Sequence, residues 1–194
     1  MIGIPDTAAS SAALDVAATY LSATMLSHSH RVYLWGATYG DEHGLRYDAE
    51  LLFVAAMFHD ISLVPVFDSH TMSFEEAGGH VARVFAAGAG WPGERRERLG
   101  EVIVRHMWPE VDPADDVEGH LLSRAAAVDI VGRDLDDFTP AFRAEILDRY
   151  PRSGLATEFL ACFQAQAARK PGSSAARAVG SGLTTRMAAN PLDL

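Results

Sequence analysis

Apolar residues recur at spacings of three and four through most of this chain, and no run alternates with the period of two that a half-buried strand needs. That periodicity restricts the chain to an all-α fold. Helices are expected at roughly 10–26, 28–39, 47–60, 74–88, 93–107, 117–131, 140–149 and 154–168. Ser73-Phe74-Glu75-Glu76 reads as a capping box, in which Ser73 and Glu76 satisfy the first unpaired N–H groups of a helix reciprocally. Thr139-Pro140 supplies an N-cap with proline at the first helical position, and Gly88 and Gly132 stand where left-handed C-terminal caps belong. Connections such as Trp91-Pro92-Gly93 and 109–116 have the lengths of a compact helical bundle. One domain is expected over 1–170. Lys170-Pro171-Gly172-Ser173-Ser174 opens a tail, 171–194, that wraps the domain or is loosely ordered.

At 194 residues, 48% of them hydrophobic, the chain buries a sizeable core without staples. A single cysteine, Cys162, rules out a disulfide framework or a thiolate zinc cluster; it lies in an apolar helical pattern and reads as a small packing residue. A reducing cytoplasmic location is expected, since there is neither a leader pattern at the N-terminus nor an apolar run long enough to span a bilayer. Residues 1–168 hold 12 Lys and Arg against 25 Asp and Glu, whereas 169–194 hold four against one. So acidic a body argues against nucleic acid as a partner, because phosphate backbones are bound by clustered Lys and Arg. A small-molecule substrate is expected, neutral or cationic, with no membrane partner; homo-oligomerisation is left open.

The eight histidines carry more information than the charge. His59 follows Leu52, Ala55 and Ala56 on an apolar stripe, and His106 follows Leu99, Val102 and Ile103 in the same way. A lone buried histidine is usually a hydrogen-bonded core residue. Asp129, in line with Leu122, Ala125 and Ala126, is harder to explain, because an unpaired buried carboxylate costs several kcal/mol, roughly. Asp60 and Asp129 also fall in last helical turns, where the macrodipole disfavours anions. A divalent cation among carboxylates and neutral imidazoles reverses that sign, and with no thiolate to offer, the ligands must be of this N/O kind. His28 shares its helix face with Leu21, Met25, Val32 and Trp35 and offers a further nitrogen.

Ser27-His28-Ser29-His30-Arg31-Val32-Tyr33, Tyr47 to Leu52 leading into Phe58-His59-Asp60-Ile61, and Ala127-Val128-Asp129-Ile130-Val131-Gly132 together resemble the HD-domain metal-dependent hydrolase superfamily, and more narrowly its cyanamide-hydratase-like branch. The resemblance runs from about Ser27 to Pro171. It implies a helical bundle around a divalent metal, zinc or iron, held by His28, His59, Asp60 and Asp129. His30 competes for the first position, but the pattern His-Ser-x-Arg-Val selects His28. Two departures stand out: Ser62 where the family usually has glycine, and His80 where close relatives carry a small acid or amide. With His80 and His106 the set grows to six ligands, which in other branches holds two metals.

Four readings follow. In the first, a metal-dependent hydrolase or hydratase, one ion activates water against a nitrile, amide or ester; His106 or His80 moves the proton, Glu75 or Glu76 assists, and Trp35, Phe67, Phe74 and Trp108 wall the pocket. A dinuclear iron oxygenase cleaving a C–C or C–P bond needs all six ligands. An HD phosphohydrolase needs cations near the metal, for which Arg31, Arg105 and Arg124 are the candidates, although Arg31 also suits a structural ion pair. A degenerate, ligand-binding HD domain is opposed by the intact histidine and aspartate set. Asp129→Ala is expected to release metal and leave the helices intact.

Overall fold

A computed structural model describes residues 2–193 as a helical assembly, with no strand among them. Its helices are α1 (Ala8–Tyr20), α2 (Ala23–Glu42), α3 (Ala49–Phe58), α4 (Phe74–Gly88), α5 (Gly93–Arg105), α6 (Val117–Val131), α7 (Pro140–Arg149), α8 (Leu155–Arg169), α9 (Ser174–Gly180) and α10 (Leu183–Ala188). Short 3-10 turns cover Ile61–Leu63, Leu135–Asp137 and Pro191–Asp193. The all-α expectation holds, and none of the helices is long and apolar enough to cross a membrane.

The centre of the molecule is α3, in which every residue from Leu51 to Phe58 is buried. A helix that is apolar on all sides has no solvent face to offer, so it is enclosed by its neighbours. Helix α1 lays Ala9, Ala13 and Ala17 on it, small side chains at a four-residue spacing that let the two helices approach. Helix α2 runs beside α3 and packs along α6 on its other flank, while the α4–α5 hairpin closes the remaining side. Both polar clusters that matter below, on α2 and at the end of α3, therefore start out inside the bundle.

Several boundaries differ from the sequence expectation, and each difference has a local cause. The first long helical stretch breaks at Leu21–Ser22, not near Ser27, because Ser22 turns extended and its hydroxyl accepts from the Met25 amide at 3.1 Å. His28 thus sits well inside α2. Helices α3 and α5 stop at Phe58 and Arg105, so His59, Asp60 and His106 occupy helix exits rather than helical turns. The α4–α5 turn places Gly90 at φ 78°, and Gly88, expected to be the left-handed residue, remains the last residue of α4. Gly132 does take the left-handed position after α6, at φ 68°, and its missing side chain also leaves room for Pro191, whose ring a Cβ would meet at 2.6 Å. The capping box at Ser73 and Glu76 and the Thr139 cap form as expected.

Beyond residue 170 the chain folds into α9 and α10 and lies across α8 and α6. Asn190, fully buried, donates its side-chain amide to the Asp129 carbonyl at 2.9 Å. Arg152 reaches the same carbonyl with Nη1 and holds the Asp193 carboxylate at 2.7 Å through Nε and Nη2. The last turn is therefore fastened to the end of α6, where Asp129 lies.

A candidate metal centre

His59 ends α3 and His106 ends α5. A helix end leaves carbonyls without partners, and each of these rings supplies one: His59 Nδ1 donates to the Ala56 carbonyl at 2.8 Å, and His106 Nδ1 donates to that of Ile103. A carbonyl can only accept, so the proton of each neutral ring sits on Nδ1 and the lone pair is on Nε2. His28 arrives at the same arrangement from another direction, with Nδ1 2.7 Å from Asp129 Oδ2. Three imidazoles are thereby set with Nε2 free to accept.

The Nε2 atoms of His28 and His59 stand 3.2 Å apart. Asp60 Oδ2 lies 3.4 Å from the first and 3.3 Å from the second. This oxygen is buried and, among the described residues, accepts no hydrogen bond. Three lone pairs facing one another in a dry interior repel, and an unsatisfied buried carboxylate is costly. A cation resolves both problems. Ligand atoms about 2.05 Å from one tetrahedral ion stand ~3.3 Å apart, which is the spacing of this triangle. The residues present thus fit a divalent metal, and among the described residues His28, His59 and Asp60 form the group whose donor atoms can share one.

The local electrostatics agree with that need. Burial penalises the charged carboxyl of Asp60, and only positive charge beside it, on the His59 and His28 rings or on an ion between them, holds it well below the usual carboxylate range. For His28 burial works toward lower basicity, and the Asp129 and Asp60 carboxylates reverse it. For His106, burial, with His59 nearby, outweighs the Asp60 carboxylate and pushes the ring down to about 4.

Asp129 departs from the expected ligand role. Its Oδ1 accepts from Arg31 Nε at 2.8 Å and Trp35 Nε1 at 3.0 Å, and its Oδ2 accepts from Arg31 Nη2 at 2.9 Å as well as from His28. With both oxygens spent on N–H donors, the carboxylate stands behind His28 instead of beside the free Nε2 atoms. Such a carboxylate fixes the tautomer and orientation of a ligating histidine. Arg31 explains why the anion tolerates full burial: the guanidinium grips it with two parallel bonds and spends Nη1 on the carbonyls of Tyr150 and Pro151.

The triangle forms part of the wall of a cavity of about 380 Å³. His106 and Trp108 line it as expected, with Phe159 and Phe163 from α8. Trp35, Phe67 and Phe74 do not line it, because Trp35 is committed to Asp129 and Phe74 is buried against His106 and Phe163. His80 is exposed on α4 and does not line the cavity, so the expected six-ligand set does not assemble. Glu75 also misses it: its carboxylate accepts from Ser174 Oγ at 2.6 Å in a neighbouring cleft. Arg105 and Arg124, the other cations considered, are held by Asp116 and by Asp134 with Asp137.

Sequence reasoning missed the cations that do reach the cavity, Arg133, Arg177 and Arg186. The net positive balance of 169–194 was the only trace of Arg177 and Arg186, nothing marked Arg133, and an acidic body pointed the other way toward a neutral or cationic substrate.

No curated protein matches the chain. The family model described as "HD domain" matches residues 25–131, a span that takes in His28, His59, Asp60 and Asp129 and covers more than half of the chain. With that match and a helical bundle that brings His28, His59 and Asp60 together, this chain belongs to the HD-domain family, whose members are generally metal-dependent hydrolases.

Proposed function

We propose that the chain is a hydrolase or hydratase that adds water to a small organic substrate of nitrile, amide or ester type, using one divalent ion, zinc or iron, held by His28, His59 and Asp60. The observation that carries this reading is Asp60 Oδ2, a buried oxygen with no hydrogen-bond donor among the described residues, facing two imidazole lone pairs at the wall of a cavity. An ion in that place lowers the pKa of water toward neutrality and polarises an electrophilic carbon.

The protein's own groups supply the rest. His106 is pinned through Nδ1, so its Nε2 is the side that can take a proton from attacking water and return it to the departing oxygen or nitrogen. In a hydrolysis the water oxygen bonds the carbon, and the leaving group departs with the electron pair and that proton. Addition to a nitrile delivers the proton to nitrogen and nothing leaves. Phe159, Phe163 and Ile130 line the cavity with apolar surface that suits the carbon skeleton of an organic substrate. A dinuclear reading loses its basis with His80 outside the cavity.

Elemental analysis of protein purified without added metal, with a panel of small esters, amides and nitriles, tests the reading. Near one zinc or iron per chain, and turnover lost on chelation and regained with the ion, is the expected result. Two irons per chain, or turnover indifferent to chelation, overturns it.

A further inference from the structure

The cavity that holds the metal triangle has a second chemistry on its wall. Arg133, just past the α6 cap, Arg177 on α9 and Arg186 on α10 all line it, and all three are exposed. Among the described residues none of them pairs with a carboxylate: Arg177 donates to the Gly172 carbonyl at 3.0 Å, Arg186 donates to that of Ser181, and Arg133 has no side-chain partner. Most of the other arginines differ, although Arg46 and Arg96 also lack a carboxylate partner among the described residues. Arg31, Arg95, Arg98, Arg105 and Arg152 each grip one or more acids. In a chain of net charge −10, unpaired guanidiniums find acids easily if nothing keeps them apart.

The acids are absent from this wall. Asp60 is the only carboxylate lining the cavity among the described residues, and it belongs to the metal triangle. The wall thus carries three arginines against one aspartate although the protein is strongly negative. A bound divalent ion adds to the same sign. Much of the remaining lining is apolar, with Ala126, Ala127, Ile130, Phe159 and Phe163. A ligand complementary to this wall combines a negative group, an apolar stretch and a reactive group.

We propose that Arg133, Arg177 and Arg186 form an anion-recognition rim, and that the substrate of the reaction above is an amphipathic organic anion whose carboxylate or phosphate docks on them. The rim lies wholly after the residues matched by the family model, so substrate charge is read by the turn after α6 and the C-terminal helices and not by the helices that hold the triangle. Arginine suits this task because its planar fork binds either oxyanion with two parallel bonds. The class of substrate rests on the hydrolase reading; the anion site itself does not.

Binding of hexanoate, hexyl phosphate and the neutral isostere 1-hexanol to the protein as purified, followed by calorimetry, tests the rim. At least one anion is expected to bind about ten-fold or more tightly than hexanol, and the tighter of the two identifies the headgroup. Arg177→Gln with Arg186→Gln should weaken that anion about ten-fold and leave hexanol unchanged, while Arg96→Gln, outside the cavity, changes neither. Parity of the anions with hexanol, or anion binding untouched by the arginine variants, overturns the proposal. Chelating the metal separates the two readings: a preference for anions that persists without metal and falls with the arginine changes supports the rim, even if no ion-dependent hydrolysis is ever found. Anion binding that depends on the metal alone overturns it.

Discussion

His59 and His106 close their helices with the same hydrogen bond, each ring donating Nδ1–H to the carbonyl three residues back, and the two rings then meet edge-on with centroids 5.1 Å apart. The shared device has two outcomes. His59 presents Nε2 to His28 and Asp60, whereas His106 sits one ring further out, against Phe74. His59→Ala should therefore empty the metal site. His106→Ala should leave metal content near that of the parent protein and lower turnover by about 10²–10⁴-fold, the usual worth of a positioned proton carrier. Elemental analysis and rate measurement on both variants check this, and loss of metal from His106→Ala counts against the assignment.

Asp129 and Asp60 are both buried carboxylates beside His28, yet their removal should have opposite effects on the fold. Asp129 neutralises Arg31, so Asp129→Ala leaves a guanidinium buried without its anion and should cost about 3–5 kcal/mol in urea unfolding. Its loss also frees the His28 ring, which should weaken metal binding about 10–100-fold rather than abolish it. Asp60→Asn removes an oxygen that has no donor. The metal-free protein should then be at least as stable as the parent, while metal binding is lost.

These contrasts show where the sequence was readable. Helical periodicity located the core, and the apolar stripes behind His59, His106 and Asp129 correctly marked all three as buried. What periodicity could not resolve is direction at a helix exit. His59 and Asp60 lie where α3 gives way to a 3-10 turn, and His106 lies one residue past α5, so their headings depend on cap geometry that the pattern does not contain. Asp129 illustrates a second limit. Its burial follows from the stripe, but its role depends on Arg31 and Trp35, three and seven residues along α2 from His28, which converge on it only once α2 and α6 are packed. His80 was misplaced for a simpler reason: it occupies the outward face of a helix whose inward face carries the small residues Ala77, Gly78 and Ala82.

The C-terminal turn should stabilise the metal centre from behind. Asn190 donates to the buried Asp129 carbonyl and accepts from the half-buried Leu192 amide at 3.0 Å. Asn190→Ala leaves that carbonyl with the Arg152 guanidinium alone and orphans the Leu192 amide. A loss of about 1–3 kcal/mol in urea unfolding is expected. Metal should also leave faster on competition with a chelator. Unchanged stability would show that the last turn is only laid against the bundle and contributes nothing to holding it.

Glu75 gives a pH dependence of definite sign. Burial raises its pKa above the ordinary 4.5, and the hydrogen bond from Ser174 only partly offsets this, with Glu76 pushing the same way as burial and Arg177 opposing it. A folded-state pKa above the unfolded one means that the native protein binds the proton more tightly. The protonated carboxyl thus contributes stability that is fully present below pH 4.5 and is lost as pH rises through the raised value. Glu75→Gln keeps an uncharged group in the same cleft at every pH. Its urea midpoint should match that of the parent near pH 4 and exceed it at pH 7, where the parent must bury a charge. Turnover should not change, because the Glu75 side chain lies outside the cavity that holds the metal triangle. A variant less stable than the parent at pH 7, or one with turnover cut by orders of magnitude, would return Glu75 to the chemistry.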